Sequence, residues 1–136
     1  MPVSYHGTSR NHATHLAQGN ISVTVGAGEF GRGFYTQSSI GNAMRWAAGR
    51  SPAPAILVIH IPAHVYTNLN VVTLSLQAAR SMNQRLRHQN QTGTYTYGCD
   101  VIEGPLVSQP QIRQYKFESI VAENLLNGPT TTRTVI

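Results

Sequence analysis

Gly26-Ala27-Gly28-Glu29-Phe30-Gly31-Arg32-Gly33-Phe34-Tyr35-Thr36 is the stretch on which the fold class turns. Its first six residues match the Gly-x-Gly-x-x-Gly spacing of a dinucleotide-binding turn. That turn works only where the glycines open directly into a helix inside a parallel βαβ unit. Here the last glycines lead into Phe34-Tyr35-Thr36, a short extended run. No acidic residue stands about 20 positions on, where the ribose contact of such a fold belongs. The doubly wound reading is rejected, and the first glycines read as a flexible loop.

Working upstream, Ile21, Val23 and Val25 alternate with polar residues, the pattern of a strand. Asn11 to Gln18 carries Ala13, Leu16 and Ala17 on one face and predicts a short helix, with Gly19 as its C-cap. Val3 to His6 predicts a strand, turned by Gly7, Thr8 and Ser9. Downstream, Ser38 or Ser39 caps a helix through Ala48 that buries Ile40, Ala43, Met44, Trp46 and Ala47, and Gly49 ends it. Ala55 to Ile61 is β-branched and apolar and predicts a central strand. Val71 to His88 is the longest helical candidate, with Leu74, Leu76, Ala79, Met82 and Leu86 facing inward. Gln89 to Gly98 predicts a loop in which Thr94 to Tyr97 has the composition of an edge strand. Cys99 to Glu103 predicts a strand stopped by Gly104-Pro105. Gln111 to Phe117 predicts another strand, Ser119 to Leu126 a helix closed by Asn127-Gly128-Pro129, and Thr130 to Ile136 a last edge strand. Short strands mixed with a few helices define an α+β domain, and 136 residues without repeats predict one domain over 1–136.

Composition narrows the chemistry. The net charge is +5, and Lys116 is the one lysine among ten basic residues. An arginine-rich balance suits anionic partners: a nucleic acid, an acidic inhibitor protein or nucleotide phosphates. The longest apolar stretch, Ala53 to Ala63, is about half of what a membrane-spanning helix needs. Met1 to Arg10 lacks the basic-then-apolar order of a secretory signal. The expectation is a soluble protein with no membrane partner, its delivery as a secreted effector depending on a signal outside this chain.

Several site types find no support. The single Cys99 excludes an internal disulfide framework and a multi-cysteine metal site. His12 and His15 are three apart, and His60 and His64 flank Pro62, but neither pair has a third ligand nearby, so no metal is expected. There is no Gly-x-Ser-x-Gly elbow, and Cys99, in a predicted strand, reads as a small buried hydrophobe.

Three segments share a further pattern: Tyr5-His6-Gly7-Thr8-Ser9 at the end of the first strand, Gly31-Arg32-Gly33-Phe34-Tyr35-Thr36 before the Trp46 helix, and Gln114-Tyr115-Lys116-Phe117 in a late strand. In this order they resemble the ADP-ribosyltransferase fold of the diphtheria-toxin and poly(ADP-ribose) polymerase type. The first is similar to that family's His-Gly-(Ser/Thr) motif, the second to its Gly-x-Gly-x-Tyr motif, and the third to the strand that opens with a catalytic Glu. Asp100 to Pro105 resembles a segment of small bacterial toxin-like members, and the likeness spans Val3 to Leu126.

The resemblance implies a split pair of small β-sheets with flanking helices and a cleft that takes NAD as substrate, without a metal. It implies that Gly7 offers its backbone to the nicotinamide carboxamide, where a side chain would obstruct the approach. His6 would bond the adenosine ribose hydroxyls, Thr8 would add a hydroxyl contact, and Tyr35 would stack on the nicotinamide ring. Gly33, with Gly31, would keep Tyr35 accessible, and Arg10 or Arg32 would neutralise the pyrophosphate. Here the sequence departs from the family: the catalytic carboxylate position reads as the neutral Gln114, with Glu118 as fallback if the strand ends before it. Within one strand these two would stand roughly 13 Å apart, too far to share one task.

The implied activity is an NAD-dependent mono-ADP-ribosyltransferase of toxin or effector type that releases nicotinamide. Its acceptor would be an unidentified protein or nucleic acid, with an acidic immunity protein as a further partner. The alternatives are a noncatalytic NAD- or nucleotide-binding module of the same fold, an RNA 2′-phosphotransferase-like enzyme that uses NAD as acceptor, and a basic nucleic-acid-binding domain without chemistry.

Overall fold

The computed structural model describes residues 3–136. They form seven strands and five helices, a mixed α+β fold. In chain order these are β1 (Val3–Ser9), α1 (Arg10–Ala17), β2 (Phe34–Gln37), α2 (Ile40–Ala48), β3 (Pro54–His60), α3 (Ala63–Tyr66), β4 (Val71–Thr73), α4 (Leu76–His88), β5 (Val101–Leu106), β6 (Gln109–Phe117), α5 (Ile120–Asn127) and β7 (Thr132–Val135). The chain divides into two compact units. The first holds the residues up to Ile21, Thr36–Asn68 and Asn124–Ile136; the second holds Ser22–Tyr35 and Leu69–Glu123.

In the first unit the strand order is β2-β1-β3-β7. β3 is central, as its β-branched sequence predicts: Ala55, Ile56, Leu57 and Ile59 are fully buried. It runs antiparallel to β1 from Val3 opposite His60 to Ser9 opposite Pro54, and antiparallel to β7. The tail therefore closes as the expected edge strand. The β1–β2 register is the single pair Tyr5 with Gln37. α1 starts at Ser9, whose hydroxyl accepts from His12 N, and it buries Ala13 and Leu16. The C-cap is Gln18 rather than the expected Gly19, which follows it in the left-handed conformation with φ +94°.

The apolar face of α2 is narrower than its sequence predicts. Ala43 and Ala47 are buried, while Ile40, Met44 and Trp46 are exposed. The reason is the closeness of β1. A Cβ built on Gly7 would lie 2.1 Å from the Ala43 carbonyl oxygen, so only the smallest side chains fit between strand and helix.

The second unit orders its strands β4-β5-β6-β2. Its core gathers Phe30, Ala79, Met82, Leu86, Cys99 and Ile102. The long helix predicted from Val71 begins only at Leu76, after the Ser75 hydroxyl accepts from Ala78 N. Val71–Thr73 instead pairs parallel to β5, in keeping with its β-branched residues. β5 is not stopped by Gly104-Pro105 but runs through it to Leu106, with a register shift against β6 after Pro105. Gly104 is retained by packing, since a Cβ there would stand 3.2 Å from Leu74 Cβ and 3.3 Å from the Phe30 ring. Thr94 to Tyr97 forms no strand.

Ile21 to Val25 forms no strand either, although Ile21 and Val23 are buried. Asn127 takes the place of a partner strand for Ile21: its Oδ1 accepts from Ile21 N and its Nδ2 donates to Ile21 O. Val23 N donates to the Glu123 carboxylate. Side chains of α5 satisfy the backbone that the alternation assigned to a ladder.

Candidate functional site

The glycine-rich loop of the second unit is built around Tyr35. The Phe30 N–H donates to the Tyr35 hydroxyl at 2.9 Å, and that hydroxyl donates to the Gly31 carbonyl at 2.6 Å. The ring lies on Gly28, where a Cβ would come within 2.6 Å of Tyr35 Cζ. Gly33 N donates to Gly26 O and closes the neck of the loop. Gly31 has φ +97° and sits against the Tyr95 carbonyl, which also accepts from Arg32 N. Burial raises the Tyr35 phenol well above its ordinary pKa; the Phe30 N–H opposes this, and the carboxylates of Glu29 and Glu118 add to it. The phenol thus stays protonated and organises the loop. Gly33 is required by packing, because a Cβ there would lie 2.5 Å from Lys116 Cδ and 2.7 Å from the Phe117 carbonyl oxygen.

Gln114 is 4% exposed on β6, and its Nε2 donates to Glu29 Oε1 at 2.6 Å. Val107 N donates to the same Glu29 oxygen at 2.9 Å. One oxygen of Glu29 is therefore pinned, and Oε2 takes no hydrogen bond among the described residues. The Glu29 carboxylate, carried by the glycine-rich loop, is thus held against Gln114. Sequence reasoning missed Glu29 because it lay inside the rejected dinucleotide motif. The available signal was its scarcity: it is one of five acidic residues in the chain.

Glu118 lies just past the end of β6 at Phe117, the condition set for it as a fallback. Its carboxylate is engaged elsewhere. It pairs with Lys116 Nζ and accepts from the backbone N–H of Tyr97, Gly98 and Cys99, at 3.1, 2.7 and 3.3 Å. Burial alone would raise its pKa; the Lys116 hydrogen bond, the backbone N–H groups and the Lys116 charge outweigh this and hold it below the usual carboxylate range. Gln114 and Glu118 therefore serve two separate networks. Burial pushes the Cys99 thiol up to about 11, helped by the Glu118 charge, so it is no nucleophile at neutral pH. Arg32 has a buried Nε with no acceptor.

In the first unit, Gly7 and Thr8 open on a cleft of about 280 Å³. Ser9, His12, Trp46 and Arg50 line it with them. Trp46, expected in the core, is 54% exposed, and the Arg50 guanidinium lies 3.3 Å from its ring centroid. Strand alternation puts His6 on the face of β1 opposite the one Gly7 turns to α2. Arg10 opens α1, with its N–H on the Ala53 carbonyl and its side chain exposed.

The charges divide unevenly. All five carboxylates (Glu29, Asp100, Glu103, Glu118 and Glu123) belong to the second unit. The first carries Arg10, Arg45, Arg50 and Arg133 and no Asp or Glu. Among the described residues, no group of three or more His, Cys, Asp or Glu is placed to hold a metal ion. No helix among them is long and apolar enough to cross a membrane. No protein-family model matches the sequence, and a search of curated proteins returned no significant match.

Proposed function

We propose that the chain is an NAD-dependent mono-ADP-ribosyltransferase of toxin or effector type, acting on a protein or nucleic-acid acceptor. The reading rests on the order of the three motifs, and one observation carries it through their weakest point: the Glu29 carboxylate bonded to Gln114 at 2.6 Å. In this reaction the bond from the ribose carbon to nicotinamide breaks, positive charge develops on the ribose, and the acceptor nucleophile attacks that carbon. A fixed negative group beside the ribose lowers the barrier. Gln114 alone cannot supply that charge. Anchored by Nε2, it keeps its amide oxygen for a ribose hydroxyl, while Glu29 adds the charge through Oε2.

The remaining roles follow the resemblance. Gly7 and Thr8 would hold the carboxamide, His6 the adenosine ribose, and Tyr35 the nicotinamide ring. Arg32 is favoured over Arg10 for the pyrophosphate, because its buried Nε–H has no acceptor and an unmet buried donor is costly. Gly33 serves by letting β6 approach the loop. An acidic immunity protein fits the net charge of +5.

The test is nicotinamide release from labelled NAD by purified protein, with and without cell extract. The parent is expected to release nicotinamide, and Glu29→Gln to lower the rate about 10²–10³-fold. His6→Ala and Tyr35→Ala are expected to abolish release. NAD binding without release under either condition would establish the noncatalytic module instead. Release only with 2′-phosphorylated RNA would establish the phosphotransferase.

A further inference from the structure

We infer that the Trp46–Arg50 cleft of the first unit binds single-stranded nucleic acid, and, resting on the proposed transferase reading, that this strand is the acceptor. Helix α2 buries its two alanines and turns its indole outward, so about half of a large aromatic residue stays in water. The Arg50 guanidinium is stacked on that indole. Stacking uses its π face and leaves its in-plane N–H donors directed away from the ring. No carboxylate or carbonyl among the described residues accepts from them.

The charge of the unit says what does. Of its four arginines, Arg133 is spent on the carbonyls of Ala17, Leu126, Gly128 and Thr131. Arg10, Arg45 and Arg50 keep their charge in a unit without a single Asp or Glu. The ligand is therefore anionic, and it brings a flat ring. An acidic protein answers the charge but gives the exposed indole nothing to stack. A nucleic acid supplies a phosphate and a base at every step of its chain. A duplex hides its base faces, so the strand is single. The base stacks on the exposed Trp46 indole, and Arg50 beside it meets a phosphate.

Trp46 is the sole tryptophan, so its fluorescence reports the site directly. The experiment titrates the full chain with a short fluorescein-labelled single-stranded oligonucleotide over a range of salt. It follows anisotropy together with tryptophan quenching. Expected are saturable binding with quenching, a loss of about tenfold or more for Trp46→Ala, and, for Arg50→Ala, weaker binding with a salt slope shallower by about 0.7. Both positions are exposed, and thermal melts check that the variants fold. Quenching by polyglutamate equal to that by the oligonucleotide would overturn the inference, because the cleft would then read charge alone. So would variants that bind as the parent does. Transfer of label from NAD to the oligonucleotide would establish it as acceptor. The two readings fail separately: nicotinamide release by the parent decides the transferase, and oligonucleotide binding decides the cleft.

Discussion

Glu118→Leu and Lys116→Met break the same buried ion pair from opposite sides, and the surroundings make the two costs unequal. Lys116 is fully buried, and Glu118 is its salt-bridge partner. Removing Glu118 leaves a cation without a partner, with the like charge of Arg32 acting on it. It also takes the acceptor from the N–H groups of Tyr97, Gly98 and Cys99. Losing one member of a buried pair costs about 3–5 kcal/mol, and orphaned donors add to that, so Glu118→Leu is expected at about 5 kcal/mol or more. Lys116→Met leaves the carboxylate with three N–H donors and is expected near the lower end, about 3 kcal/mol. For a chain of this length 1 kcal/mol moves the melting temperature by roughly 3–5 °C. The two variants should therefore melt about 15–25 °C and about 10–15 °C below the parent. The double variant removes both charges and is expected to be milder than Glu118→Leu. Urea and thermal denaturation at neutral pH, followed by far-UV circular dichroism, measure all three. The reasoning is refuted if Lys116→Met is the more damaging single change, or if Glu118→Leu stays within about 1 kcal/mol of the parent. A stably folded Glu118→Leu that loses nicotinamide release would return Glu118 to the substrate.

Three further outcomes are expected. Gly7→Ala forces a methyl group against the Ala43 carbonyl and should destabilise the protein by about 1–3 kcal/mol or more through overpacking; an unchanged melting temperature would mean that α2 gives way freely. Tyr35→Phe orphans Phe30 N and Gly31 O at about 1–3 kcal/mol, and amide exchange at Phe30 should quicken; unchanged protection there would refute the bracing role. The pKa of Glu118 is lowered on folding, so its stabilising contribution is complete above the unfolded carboxylate value of about 4.3 and disappears as pH falls through the lower folded value. Urea melts taken down that acid limb should be flatter for Glu118→Gln than for the parent, and equal slopes would contradict the assignment.

How much was legible depends on the range of the signal. The helix read at Asn11 to Gln18, and found at Arg10–Ala17, was legible because its apolar face and the glycine after it lie within a few residues of one another. β3, β6 and β7 were readable from their β-prone composition and alternation. The same alternation misled at Ile21–Val25. It reported burial correctly, but a ladder needs a partner strand, and Asn127 satisfies Ile21 from 106 residues away. Trp46 misled in the same way. Its helical phase was right, yet the width of the buried stripe was set by the approach of β1 at Gly7.

What the amino-acid order determined by itself was the α+β class, most of the helix ends, the central strand and the glycine-rich loop leading into Tyr35. Those features arise from backbone preference, capping and periodicity, which act over one turn or one strand. Only tertiary structure decided that Glu29 meets Gln114 across 85 positions, that Glu118 takes the N–H groups of Tyr97 and Gly98 from 21 and 20 positions away, and that an indole stands in water in a unit without Asp or Glu. These depend on which segments chain reversal brings face to face, and the pairing of a carboxylate with a distant amide leaves no local mark on either side of the contact.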